Sequence, residues 1–330
     1  MKIILQRLFQ QEHLCYDEAR NTLFRIAKDE YNTAHLASFL TVFQMRAITT
    51  EELRGFRDAL LELCLKIDLS DYDSIDLCGT GGDGKDTFNI STLAAVVVAG
   101  AGYTVTKHGN YGSSSICGSS NVLEKLGYQF SNKEEQLKRQ LDLHNLCFLH
   151  APLFHPAMKA VGPVRKQLGL RTFFNLLGPL VNPIQPKKQI VGVSDLYILR
   201  LYHYVLQQTN KEFAIIHALD GYDEVSLTGD FKVITPAGET LLNPTAVEQN
   251  KHQPMALHGG STIDQAADIF IKILKGKGTQ AQNEVVCTNA GIAIQRFNPT
   301  QPLTSCIESA KNSLLSLRAF NNFKSLLEIK

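Results

Sequence analysis

From residue 74 onward the chain alternates between short apolar runs and stretches of helical period, and before residue 74 it does not. The runs at 74–78, 103–106, 146–150, 189–193, 213–219 and 231–235 have strand length, while 93–101 and 121–126 between them are predicted helices. Strands separated by a helix cannot close as hairpins. The crossover makes them parallel neighbours, so this part is expected to form an α/β domain with a mostly parallel central sheet flanked by helices. Amphipathic stretches near 262–275, 283–296 and 306–328 predict a helical finish.

The earlier segment reads as helices only. Leu36, Phe39, Leu40 and Phe43 recur at helical spacing, and Thr49 with Glu52 forms a capping-box pattern ahead of Leu53, Phe56 and Leu60. The acidic, turn-prone residues 68–73 form a natural boundary. A chain of 330 residues exceeds the usual single core. Residues 1–71 are therefore expected to form a small helical domain and 72–330 the α/β domain. Two segments of helical character, 156–168 and 171–180, interrupt the strand series and are expected to complete the helical domain within 156–184.

Composition removes some classes of function. The formal net charge is +1 with acids and bases mixed, so no broad field exists to attract nucleic acid or an anionic membrane. Residues 1–10 are interrupted by Lys2 and Arg7, and no later apolar run has the length of a membrane span, which makes a cytoplasmic protein the expectation. Seven cysteines stand singly, with no spacing for zinc or redox chemistry.

Chemistry concentrates first in Gly79-Thr80-Gly81-Gly82-Asp83-Gly84-Lys85-Asp86, which follows the first strand. As a dinucleotide fingerprint it lacks the acid about twenty residues on, because the next strand runs into Lys107 and His108. As a Walker-type loop it has Asp86 where a magnesium-binding hydroxyl belongs. A glycine turn without a ligand is the plain alternative. Thr87, Asn89, Ser91 and Thr92 crowd hydroxyls and an amide around a helix start, where free N–H groups favour phosphate. Ser91 or Thr92 is also expected to cap that helix. The second strand ends in Lys107-His108-Gly109-Asn110, followed by Tyr111-Gly112-Ser113-Ser114-Ser115 and, further on, Ser119, a mixture of cation, backbone donors and hydroxyls suited to a pyrophosphate or to a solvated turn. Asp223 and Glu224 follow another apolar strand at a glycine turn, where adjacent acids suit magnesium or simply face water.

Taken in order, Gly79-Thr80-Gly81-Gly82-Asp83, Asn89-Ile90-Ser91-Thr92 and Lys107-His108-Gly109-Asn110 resemble the successive signatures of the anthranilate phosphoribosyltransferase family. The resemblance continues through His155-Pro156-Ala157-Met158-Lys159, Pro163-Val164-Arg165-Lys166, 171–180 and Asp220-Gly221-Tyr222-Asp223-Glu224. It implies a helical domain hinged to an α/β domain, substrates in the cleft, and homodimers formed through the helical part. It places phosphoribosyl pyrophosphate on Gly79, Gly82, Asp83, Thr87, Asn89, Ile90, Ser91, Thr92, Lys107, His108, Gly109, Asn110, Tyr111, Gly112, Ser113, Ser114, Ser115 and Ser119. Anthranilate falls on Gly79, Asn110 and Arg165, and magnesium, as two ions, on Ser91, Asp223 and Glu224. Arg165 suits a carboxylate because a guanidinium grips a planar acid through paired hydrogen bonds. The chain departs from many members at Tyr111 and Ile116, where they carry arginine, at Cys117 and Asn121, which replace serine and aspartate, and at Gln282-Asn283, which replaces Arg-Asp. A pyrimidine nucleoside phosphorylase is the nearest alternative enzyme, and a nucleic-acid-binding relative without catalysis the alternative of another class. Arg165 with the Asp223-Glu224 pair disfavours the first, and the balanced charge the second.

Overall fold

The computed structural model describes residues 1–112 and 117–329. The chain opens with helices α1 (Lys2–Phe9), α2 (Tyr16–Ala27), α3 (Thr33–Met45) and α4 (Thr50–Leu63). Alternation then begins with β1 (Ser74–Gly79), α5 (Ile90–Gly100), β2 (Thr104–Gly109), α6 (Ser119–Lys125), α7 (Glu134–His144) and β3 (Leu146–His150). Three short helices follow, α8 (Ala151–Phe154), α9 (Met158–Leu168) and α10 (Phe174–Leu177). The rest comprises β4 (Lys188–Gly192), α11 (Leu196–Leu206), β5 (Glu212–Ala218), β6 (Phe231–Thr235), β7 (Gly238–Leu242), α12 (Ile263–Lys272), α13 (Gln280–Gln295), α14 (Leu303–Leu315) and α15 (Arg318–Leu327). Two compact units result, Met1–Ile67 with Ala151–Gln185, and Asp68–His150 with Pro186–Lys330.

The helical unit is organised by aromatic rings and one buried ion pair. Phe39, Phe43 and Phe56 meet Phe173 with ring centroids 4.6–6.0 Å apart, which ties α3 and α4 to the segment ahead of α10. Thr49 caps α4 by accepting from the Glu52 N–H at 3.2 Å, and Glu52 returns the bond to the Thr49 N–H at 2.9 Å. The Glu52 carboxylate is fully buried, and it also takes the Arg46 guanidinium and the Leu14 N–H. That accounts for its charge in an apolar interior.

The α/β unit is built on one seven-stranded sheet in the order β3-β2-β1-β4-β5-β6-β7. The first five strands are parallel and the last two antiparallel. Helix α5 is apolar all round because it is buried all round, between the sheet and α13, α14 and α15. Strand β7 escapes the sequence pattern since its residues are mostly exposed and carry no apolar face. The expected helix 306–328 is two helices, because Leu317 adopts the left-handed region (φ +63°) and breaks the run between α14 and α15.

One irregularity of the sheet bears on function. The β1–β2 ladder pairs only Ser74 with Thr104 and Ile75 with Val105. Beyond it, side chains take over: Asp76 Oδ1 accepts the His108 N–H at 3.0 Å, and the Lys107 ammonium donates to the Leu77 carbonyl. On their other edges the two strands stay paired to their ends, β2 with β3 to Gly109↔His150 and β1 with β4 to Gly79↔Gly192.

Candidate active site

The sheet changes direction at β1, with β2 and β3 added on one side and β4 and β5 on the other. At the carboxyl ends of strands flanking such a reversal, a crevice forms and ligands bind. Gly79 and Gly192 end β1 and β4 side by side at this place. A Cβ on Gly192 would stand 1.5 Å from the carbonyl oxygen of Asp223, and one on Gly79 would stand 2.5 Å from its Oδ2. The two glycines therefore form the notch that receives the Asp223 turn. Asp223 Oδ2 accepts the Gly81 N–H at 2.7 Å, and the Thr80 N–H donates to the Gly192 carbonyl at 2.9 Å. Gly81, Gly82 and Gly84 all have positive φ, between +68° and +72°, so the loop leaving β1 needs glycine for its path.

Glu224 occupies the start of α5. Its Oε1 accepts the Ser91 N–H at 2.8 Å. This corrects the expectation that Ser91 or Thr92 caps the helix: the N-cap is Asn89, and its amide donates to the Cys117 carbonyl at 3.1 Å rather than to the helix. A carboxylate from a distant turn satisfies the free N–H instead, where the helix dipole favours negative charge. Lys107 is buried, with its ammonium on the Leu77 carbonyl and 3.4 Å from Ser91 Oγ, inside the split between β1 and β2 rather than out on a flexible loop.

Leu77, Cys78, Gly79, Ser91, Ala94, Ile190, Gly192, Ile216, Asp223, Glu224 and Asn289 line a small recess. Burial, reinforced by Asp83, pushes the Asp223 carboxyl above the usual range, and the Gly81 N–H only partly opposes it. Burial also raises Glu224, reinforced by Asp223 and Asp83 and opposed by the Ser91 N–H and Lys107. Burial likewise pushes the Cys78 thiol up to about 12, so it carries no thiolate at neutral pH. Two acids this poorly compensated, beside a hydroxyl, are a hard-oxygen donor set that fits a divalent cation. Among the described residues no group of three or more His, Cys, Asp or Glu is arranged to hold a metal unaided. Magnesium does not require one, since it takes one or two carboxylates and completes its shell with water and phosphate.

The other expected residues fall into three groups. Gly82 and Asp83 lie on the loop after β1, and Asp83 Oδ1 accepts the Lys85 N–H at 3.1 Å. Thr87 bridges His258, which pins the loop to residues 257–259, while Ile90 and Thr92 are buried in the first turn of α5. His108 and Gly109 finish β2, and Asn110, Tyr111 and Gly112 follow it exposed. The Ser119 hydroxyl returns to the Asn110 carbonyl at 3.2 Å, and Tyr111 donates to Glu124 at 2.8 Å. Ser113, Ser114, Ser115 and Ile116 lie outside the described residues. Arg165 belongs to the helical unit. Its guanidinium donates to Asn175 Oδ1 at 3.1 Å and faces the Phe174 ring, while its buried Nε has no partner among the described residues. Burial lowers its pKa, and no carboxylate of its own unit among the described residues opposes the shift.

Sequence reasoning missed Asp76, Gly192 and Asn289. Each left a signal: an acid inside an apolar strand, a glycine ending one, and a lone amide in the apolar middle of a helix. Asn289 Oδ1 accepts the Val225 N–H at 3.1 Å, and its Nδ2 donates to the Val225 and Val285 carbonyls at 2.9 and 2.8 Å.

Comparison with known proteins is consistent from end to end. A family model described as glycosyl transferase family, a/b domain, matches residues 71–320, and one described as glycosyl transferase family, helical bundle domain, matches residues 2–64. The anthranilate phosphoribosyltransferase of Flavobacterium psychrophilum is 55% identical over all of this chain and 99% of its own. That of Thermus thermophilus, a crystal structure, has a TM-score of 0.90 at 30% identity and covers 98% of both chains. The Saccharomyces cerevisiae enzyme in complex with PRPP and Mg has a TM-score of 0.89 at 25% identity, over 98% of this chain and 96% of that one. A full-length match of this identity, carried on the same fold, makes the chain a member of the anthranilate phosphoribosyltransferase family.

Proposed function

We propose that the chain transfers the phosphoribosyl group of phosphoribosyl pyrophosphate to the amine of anthranilate, releasing pyrophosphate, as a step of tryptophan biosynthesis. The observation that carries this reading is the Asp223-Glu224 turn, seated in the notch of Gly79 and Gly192 and bonded to the first turn of α5. Phosphoribosyl pyrophosphate is assigned to the loop after β1, the start of α5 and the loop after β2. The hydroxyls and backbone of these segments, with Lys107, would serve its phosphates.

Asp223, Glu224 and the Ser91 hydroxyl would hold magnesium, as two ions. When bound, magnesium supplies positive charge to offset that on the departing pyrophosphate. The chain's own contribution is to hold donors where that charge develops. The C1–O bond breaks, the amine nitrogen forms the new bond to C1, and the amine then releases a proton. An aromatic amine is neutral near pH 7, so positioning replaces a strong general base.

Anthranilate is assigned to Arg165, Asn110 and Gly79, with the under-partnered Arg165 taking the carboxylate. Assembly as a homodimer through the helical unit is supported by Ile3, Phe9 and Met45, large apolar residues left exposed on α1 and α3. The expected result for purified protein with anthranilate, phosphoribosyl pyrophosphate and magnesium is loss of anthranilate fluorescence with release of one pyrophosphate per anthranilate consumed. Fluorescence that holds steady with all three present would contradict the assignment.

A further inference from the structure

The Asp223-Glu224 turn is held by two helices that pack on each other. One contact is the Ser91 N–H of α5 on Glu224. The other comes from α13 and falls on the next residue, Val225, through the Asn289 amide. Accepting from the N–H and donating to the C=O of one residue fixes both the position and the rotation of its backbone, as a strand partner would. The second Nδ2 bond, to the Val285 carbonyl one turn earlier, fixes the amide on its own helix. Asn289 is only 6% exposed and stands among Val285, Val286, Ala290 and Ile292, where an unpaired amide would be costly and an apolar side chain would pack without any partner. The helix needs no amide here for itself; the acid turn does.

We propose that Asn289 is a positioning residue that sets the affinity of the Asp223-Glu224 turn for its divalent cation. The proposal rests on the magnesium reading above. Groups that orient metal-binding side chains typically change metal affinity by about 10- to 100-fold when removed. Asn289→Ala is therefore expected to raise the half-saturating magnesium concentration by about 10-fold or more. The shift is read by calorimetric titration of phosphoribosyl pyrophosphate at a series of magnesium concentrations, and separately in turnover. At saturating magnesium kcat recovers, and the KM for anthranilate stays at the wild-type value.

Thr288→Val, at a fully buried neighbour whose hydroxyl donates to the Glu284 carbonyl within α13, lowers the melting temperature without moving the magnesium midpoint. Should Asn289→Ala fail to fold, Asn289→Ser, which keeps a small polar group, carries the same test. A variant that melts earlier but binds phosphoribosyl pyrophosphate with the wild-type magnesium dependence overturns the proposal. Asp223→Asn separates the two levels: if it too leaves the magnesium midpoint unmoved, the metal reading fails, and if it moves the midpoint while Asn289→Ala does not, only the role of Asn289 falls.

Discussion

At the scale of single residues, the candidate site was legible where the residue type itself suggests a chemistry. Acids at a strand end, a glycine loop and a cluster of hydroxyls at a helix start are residue types suited to metal or phosphate, although each also has a plain structural reading. Gly192 and Asn289 were not legible because their meaning is a distance to another part of the chain. Gly192 matters for the 1.5 Å that a Cβ would leave to the Asp223 carbonyl, and Asn289 for its bonds to Val225. A Cβ at Gly192 meets backbone, which cannot rotate aside. Gly192→Ala is accordingly expected to displace the acid turn and, since a shift near 1 Å at reacting groups can cost about 100-fold, to lower kcat/KM by about that factor. Steady-state kinetics on a variant verified as folded by circular dichroism checks this, and near wild-type turnover would mean that the notch does not position the turn.

At the scale of elements, the parallel strands and the capped start of α4 were readable because each follows from local period or local hydrogen bonding. The cap of α5 was not, because its partner is Glu224, far along the chain. The same limit applies to Glu52, whose capping role was visible and whose pairing with Arg46 was not. His155, between α8 and α9, shows how such burial governs pH response. It is 2% exposed beside the backbone of Leu60 and Val181, and burial lowers its pKa from 6.5 to about 4. The unfolded chain takes up this proton near 6.5 and the folded chain only near 4. Its contribution to stability is thus complete above 6.5, declines as pH falls, and is lost at about 4. That contribution is on the order of 3 kcal/mol. Urea titrations from neutral pH down to about 4 should show the wild type losing stability across this window and His155→Gln losing less. Parallel curves for the two proteins would show that His155 is not the acid-sensitive group.

At the scale of the whole molecule, alternation announced an α/β layer and its absence announced helices ahead of it. The strand order was not announced, because no local pattern says that β4 adds to the far side of β1. That single choice creates the reversal at which Gly79, Gly192 and the acid turn converge. The helical unit is likewise discontinuous in sequence, and Arg165 belongs to it while the acids belong to the α/β unit. The roles assigned to them separate in kinetics. Arg165→Ala should raise the KM for anthranilate and leave magnesium dependence unchanged, because it removes a grip on the carboxylate only. Asp223→Asn combined with Glu224→Gln should collapse kcat and shift magnesium dependence, because it removes the donors for the cation. Steady-state kinetics of the two variants with both substrates and a magnesium series is the most direct measurement: divergence along those lines is the predicted result, and equal losses toward both substrates and magnesium would contradict the account.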